Sequence, residues 1–143
     1  MRLTTLSRYG VRSLFDIAYF GNGKSVKASE VSKRQNISLN YIGQIFLRLK
    51  RGGLIKSQRG RSGGYVLGHP PKDISVLKII EAVEGPICLI TCLEIPQSCP
   101  NLNECVTRDM WYESCTMLQN YFSSITIQDL IDRAENKQIK RAL

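Results

Sequence analysis

The first 87 residues of this 143-residue chain contain no cysteine, and the first 67 contain only two acidic side chains, Asp16 and Glu30. The whole chain has one histidine, His69. No nucleophile stands at a readable spacing from a base, and no carboxylates pair at a plausible site, so the sequence does not describe an enzyme. Its one glycine-rich stretch, RGRSGG, lacks the GK[ST] ending of a nucleotide-binding loop. No apolar run approaches the roughly 18 residues of a membrane span, and nothing at the N-terminus reads as an export signal. The expected compartment is the cytoplasm, where structural disulfides are disfavoured. Internal repeats and low-complexity tracts are absent.

What the chain does have is lysine and arginine, unevenly spread. Residues 1–67 carry 13 basic side chains against 2 acidic ones, whereas residues 68–143 carry 7 against 10. A basic half joined to an acidic half suits a polyanionic partner at one end only. Nucleic acid and an anionic membrane surface are the two candidates on charge alone.

Hydrophobic periodicity then decides the architecture. In LSRYGVRSLFDIAYFG, Val11, Leu14, Phe15 and Ala18 recur at i, i+3, i+4, i+7, one face of a helix ended by Gly21 and Gly23. KASEVSKRQN predicts a short second helix with Ala28 and Val31 inward. SLNYIGQIFLRLKRGG predicts a third, capped by Ser38, with Ile42, Ile45, Phe46 and Leu49 as its apolar stripe. LIKSQ and YVLG then read as two strands around RGRSGG, a hairpin. A helix–turn–helix followed at once by a basic hairpin is a winged helix-turn-helix. Pro70 and Pro71 mark a boundary. Residues 1–71 are expected to form the DNA-binding domain, and 72–143 a linker helix, a cysteine loop and a dimerisation helix. Ser75 caps the linker helix, with Val76, Ile79, Ile80 and Val83 at helical spacing, until Gly85 and Pro86 break it. From Thr107 a long helix carries Trp111, Cys115, Leu118 and Phe122 in one stripe, with Met110, Met117 and Tyr121 beyond it. That surplus of apolar surface predicts a homodimer. A last helix opens at Thr126 with a capping-box spacing. The fold class expected is mainly α with a small β-hairpin.

The third helix has the chemistry of a reading helix. Ser38, Asn40, Tyr41, Gln44 and Arg48 lie off its apolar stripe. Asn and Gln side chains can pair with adenine edges, and Arg and Tyr can reach phosphates or bases. Gly43 leaves a gap that permits close approach. On the wing, Arg59, Gly60 and Arg61 suit the narrow minor groove of A·T-rich DNA.

The cysteines fall as C-x3-C-x6-C-x5-C through Cys88, Cys92, Cys99 and Cys105, with Cys115 further on. No C-x2-C knuckle is present, which counts against a zinc knot and against a thioredoxin-type pair. Iron–sulfur clusters tolerate irregular spacing better. Spacing alone leaves a cluster, a zinc site and unmetallated thiols all open.

MRLTTLSRYGVRSL, ISLNYIGQIFLRLKRGGLI, RGRSGGYVLG and the downstream C-x6-C-x5-C together resemble the iron–sulfur-dependent winged-helix repressors of the IscR/NsrR/RirA type. The resemblance runs from Met1 to about Ala134. It implies a homodimer with crossed long helices, a double-stranded DNA operator, a 2Fe-2S or 4Fe-4S cluster, and Cys92, Cys99 and Cys105 as its cysteine ligands. The chain also departs from that pattern. One branch of the family has a histidine three residues after the third cysteine, where Arg108 stands here. Another uses an aspartate near the N-terminus, where Arg8 stands. Cys88, Glu104, Asp109, a partner residue or an exogenous ligand remain as the fourth, with Cys88 the softest donor. His69 reads as a solvated loop histidine, and Cys115 as a buried inert thiol. The function expected is a transcriptional regulator of repressor type, controlled by a cluster that senses redox state, nitric oxide or iron. The alternative is a cluster-free regulator of the same fold, working by a thiol switch or protein docking.

Overall fold

The computed structural model describes residues 3–139. Helix α1 (Thr5–Gly21) starts where Thr4 Oγ1 accepts a hydrogen bond from Leu6 N. It ends between the two expected glycines at Asn22, which takes the left-handed conformation (φ 48°); an asparagine tolerates that region better than most side chains. Helix α2 (Ala28–Gln35) ends the same way at Asn36 (φ 54°). Ser38 caps α3 (Leu39–Arg51) by accepting from Tyr41 N at 3.2 Å. All four apolar residues of the α3 stripe are buried, so the periodicity located the inner face of this helix correctly.

Strands β1 (Ile55–Gln58) and β2 (Gly64–Leu67) form the antiparallel hairpin, with Ile55 opposite Leu67 and Gln58 opposite Gly64. The loop between them turns at Gly60, whose φ of 110° only glycine adopts easily. Two backbone hydrogen bonds between Val26 and Tyr65, at 2.9 and 2.8 Å, sew the wing onto the α1–α2 connection. Tyr65 also packs edge-on against Phe46 of α3, ring centres 4.7 Å apart. The wing is therefore tied both to the third helix and to the α1–α2 connection.

After a 3-10 turn at Pro71–Asp73 comes α4 (Val76–Glu84), capped by Ser75. It crosses α1 closely, because a Cβ added at Gly10 would lie 3.2 Å from Val83 Cγ1. The chain then enters a loop of short turns, including one turn of helix α5 (Thr91–Glu94) and a 3-10 turn at Pro96–Ser98. Helices α6 (Arg108–Ser124) and α7 (Ile127–Asn136) follow, the latter opened by the expected capping box of Thr126 and Asp129. Residues on both sides of Pro70–Pro71 share one core: Leu14, Ile45 and Leu49 with Ile79, Val83, Ile127 and Ile131. A smaller cluster of Val76, Ile80 and Ile87 takes Leu118 and Phe122 from α6. Trp111, grouped with those residues by spacing, stays 38% exposed.

One charged network fixes the angle between the first two helices. Asp16 of α1 is fully buried. Arg34 grips it with Nη2 at 2.6 Å and Nε at 3.1 Å, and Gln35 Nε2 donates to it at 2.7 Å. Arg12 closes the circuit by donating to the Gln35 carbonyl at 2.7 Å. The Asp16 carboxylate raises the Arg34 pKa above the ordinary guanidinium value, chiefly through this hydrogen bond. Removing one partner of a buried pair leaves the other charge uncompensated. Arg34→Ala should therefore cost about 3 kcal/mol in urea unfolding; a loss under about 0.5 kcal/mol, the range of an ordinary surface change, would show that α2 is held by its apolar contacts instead.

Candidate nucleic-acid interface and cysteine loop

The outer side of α3 carries Asn40 and Gln44 one turn apart, both exposed and with no hydrogen-bond partner among the described residues. These two amides are free to read base edges. Ser38, also exposed, spends its hydroxyl on capping, but the backbone N–H groups of the first turn face outward at the positive end of the helix dipole. On the wing, Arg59, Gly60 and Arg61 are exposed at the hairpin tip.

Two residues assigned to reading from the sequence point elsewhere. Tyr41 is half-buried; its hydroxyl bonds Thr5 Oγ1 at 2.8 Å, and its ring meets Tyr9 edge-on at 5.7 Å. Arg8 and Arg12 lie over the Tyr9 ring, at 5.5 and 5.3 Å from its centre. Tyr41 thus ties the third helix to the start of the first. Arg48 Nη1 donates at 2.7 Å to the Val83 carbonyl, in the last turn of α4. A cation at a helix C-terminus satisfies a carbonyl the helix cannot use and meets the negative end of its dipole. Beside it, the Ser7 hydroxyl donates to Glu84 Oε2, and Glu84 Oε1 is buried without a partner. Arg48, Ser7 and Glu84 therefore join α3, α1 and the end of α4 at one point. Little in the sequence points to this junction, since a serine, an arginine and a glutamate on three separate helices carry no spacing signal.

The chain leaves that junction directly into the cysteine loop. Its first residues are strapped to α6: Gln119 Nε2 donates to the Ile87 carbonyl at 3.1 Å, and Leu89 N donates to Cys115 Sγ at 3.3 Å. Cys115 is buried, as expected, and serves as an acceptor. Cys88 turns its thiol to the Ile90 carbonyl, 3.1 Å away. Cys92, Cys99 and Cys105 are free and half-exposed. The hydrogen bonds that shape the segment between them are short-range turns, such as Ile95 N to Thr91 O at 2.7 Å and Cys99 N to Pro96 O at 3.3 Å. Among the described residues no three His, Cys, Asp or Glu side chains converge to hold a metal ion. His69 is exposed and distant in sequence from this loop.

The donor set nevertheless suits a soft, anionic inorganic group. Three accessible thiols sit on one segment with few bonds to break in order to gather. The Cys105 thiol is held below the usual thiol pKa by a hydrogen bond to the Thr107 hydroxyl, then by the backbone N–H groups of Thr107 and Arg108 and by the Arg108 charge. Arg108 Nε is buried without a partner at the base of the loop, a donor waiting for an acceptor.

The outward face of α6 is apolar. Met117 and Tyr121 are 73% and 57% exposed, and Met110 and Tyr112 are also open. Met110, Ser114, Met117 and Tyr121 form one stripe at alternating four- and three-residue steps, the spacing of a helix-pairing seam. No helix among the described residues is long and apolar enough to cross a membrane.

Comparison with known proteins agrees with this geometry. The profile of the Rrf2 family, described as iron-dependent transcriptional regulators, matches residues 3–133. The transcriptional regulator IscR of Pectobacterium atrosepticum is 34% identical over 94% of this chain and 82% of its own. The solved structure of IscR from T. potens superposes with a TM-score of 0.79 at 31% identity, covering 99% of this chain and 94% of its own. That of CymR, the global cysteine regulator of B. subtilis, gives 0.79 at 29% identity over 93% and 98%.

Lowered by those hydrogen bonds, the Cys105 thiol should ionise at lower pH than an ordinary thiol. In metal-free protein its alkylation by iodoacetamide should outpace that of buried Cys115, and Thr107→Val should shift its pH–rate curve upward. An unmoved curve would mean that the hydroxyl contributes nothing.

Proposed function

The chain belongs to the Rrf2 family of transcriptional regulators, and from that premise we propose that it binds a specific operator as a homodimer and that the state of its cysteine loop sets its affinity. The observation that carries this reading is the junction at the end of α4, where the helix bearing the exposed amides meets the segment that leads into the loop. Asn40 and Gln44 read base edges, the first turn of α3 takes a phosphate, and Arg59 and Arg61 enter the minor groove with Gly60 at the turn. Two such heads, paired through the apolar face of α6, meet two half-sites of a palindrome. Occupying that operator in the cytoplasm would block transcription, which makes the protein a repressor.

Cys92, Cys99 and Cys105 would hold an iron–sulfur cluster, with Cys88 the fourth candidate and Arg108 donating to a ligated sulfur. Cys88 must first release the Ile90 carbonyl. When bound, such a cluster supplies a redox-active group that oxidants, nitric oxide or iron shortage can alter. The residues of the chain do the rest. Gathering three thiols tightens the segment from Thr91 to Cys105 and pulls on Gly85–Cys88. Arg48 and Glu84 pass that change to α3. Tyr41 and Arg48 are positioning residues in this scheme.

A thiol switch without a cluster is the second reading. It is favoured by the unconverged cysteines and by the equal likeness to a cysteine regulator. Anaerobic purification with iron and sulfide counted separates the two: a brown, iron-containing protein supports the cluster, and a colourless one supports the switch.

Three outcomes are expected. Cys92→Ala, Cys99→Ala and Cys105→Ala should each abolish the visible absorbance; retention in all three would refute the ligand assignment. Arg48→Ala should keep the absorbance but collapse the ratio of operator affinities with and without cluster, from about 5–150-fold toward one; an unchanged ratio removes Arg48 from the coupling. Arg59→Ala should weaken operator binding and lower the salt slope by about 1, whereas Lys137→Ala should not; equal effects would take the wing out of the interface.

A further inference from the structure

Two exposed leucines and a glycine make an unexplained row on the outer side of α3. Leu39 and Leu47 are 53% and 51% exposed, on a helix whose own apolar stripe is fully buried. They stand four residues before and four residues after Gly43, so the three lie on one ridge of the helix. Glycine is the least favoured residue in a helix interior apart from proline. Packing does not require it here, because a Cβ built on Gly43 meets nothing within 4 Å. Its backbone is ordinary helix, so no unusual φ requires it either. Nothing among the described residues requires a glycine at this place.

The ridge has a definite shape. Leu39 and Leu47 are about 12 Å apart along the axis, with Gly43 midway. Helical side chains lean toward the N-terminus, so Leu47 overhangs the Gly43 turn as a wall and the bare backbone forms the floor. The neighbouring row carries the free amides of Asn40 and Gln44. Lys50 and Arg51, exposed in the last turn of the same helix, add positive charge beyond Leu47. An apolar notch beside two amides and followed by two cations matches the major-groove edge of an A·T pair: adenine offers N6 and N7 to an amide, and thymine offers its 5-methyl to an apolar contact. A protein partner would not account for the adjacent amides and cations.

We propose that Leu39, Gly43 and Leu47 form a thymine-methyl pocket, and that Gly43 is a specificity-determining residue through the space it leaves. The proposal rests on the reading of α3 as the helix that enters the groove. It places at least one thymine in each half-site, next to the adenine contacted by Asn40 or Gln44.

The test uses the duplex that the wild-type full-length chain selects from a random-sequence pool, with each thymine replaced in turn by deoxyuridine. At one thymine per half-site, loss of the methyl should weaken wild-type binding about fourfold, the value of one buried methyl. Gly43→Ala should melt several degrees higher than wild type, yet bind the thymine duplex at least tenfold more weakly. In that variant the deoxyuridine duplex should be bound as well as or better than the thymine duplex, because the added Cβ and the methyl compete for one space. Leu47→Ala should abolish the thymine preference at the same position. If the wild type selects a sequence but tolerates deoxyuridine everywhere, or if Gly43→Ala leaves affinity unchanged, the pocket is overturned while DNA reading stands. If the wild type selects no sequence, both fall.

Discussion

The hydrogen bond from Arg48 of α3 to the Val83 carbonyl of α4 adds a polar tie to the shared core, and the proposed coupling between the halves of the chain depends on it. It joins the helix with the exposed amides to the last turn before the cysteine loop. The Ser7–Glu84 contact beside it brings in α1. Arg48 is exposed, but its Nη1 is engaged in this contact. The basic half of the chain thus uses its cations in two ways: Arg59 and Arg61 face solvent at the wing tip, whereas Arg12, Arg34 and Arg48 hold helices in place.

The helices and wing are tied to one another across the sequence, whereas the loop is held mainly by local bonds. Asp16 with Arg34 and Gln35 sets α2 on α1, and the Val26–Tyr65 bonds with the Phe46–Tyr65 contact lock the wing to the helices. The loop from Thr91 to Cys105 is held mostly by its own turns. On the proposed reading this contrast suits a switch, because a segment held by few long-range bonds can rearrange without disturbing the cross-tied part.

Much of the architecture was legible in the sequence, because amphipathic helices announce their inner faces. Ile42, Ile45, Phe46 and Leu49 are buried as their spacing required, and the hairpin lies where the period changes. Ser38 and Thr126 cap the helices they precede. The exposed amides Asn40 and Gln44 could be found in the same way, as the polar complement of a buried stripe. The destinations of Tyr41 and Arg48 could not. Both stand on the outward side by helical phase, but long side chains reach across to α1 and α4, and only tertiary packing reveals it. Asp16 was a visible anomaly within an apolar run, yet its partners Arg34 and Gln35 lie on another helix. The cysteine spacing was visible in the sequence, but it did not reveal that the thiols of Cys92, Cys99 and Cys105 stand apart.

In the proposed scheme, a change in the cysteine loop reaches α3 through the end of α4. Amide hydrogen exchange on the anaerobically iron-loaded protein and on the same protein after iron removal tests it directly. Protection should change together in the loop, at residues 83–88 and in α3. A change confined to the loop, with residues 83–88 and α3 exchanging identically in both forms, would contradict it.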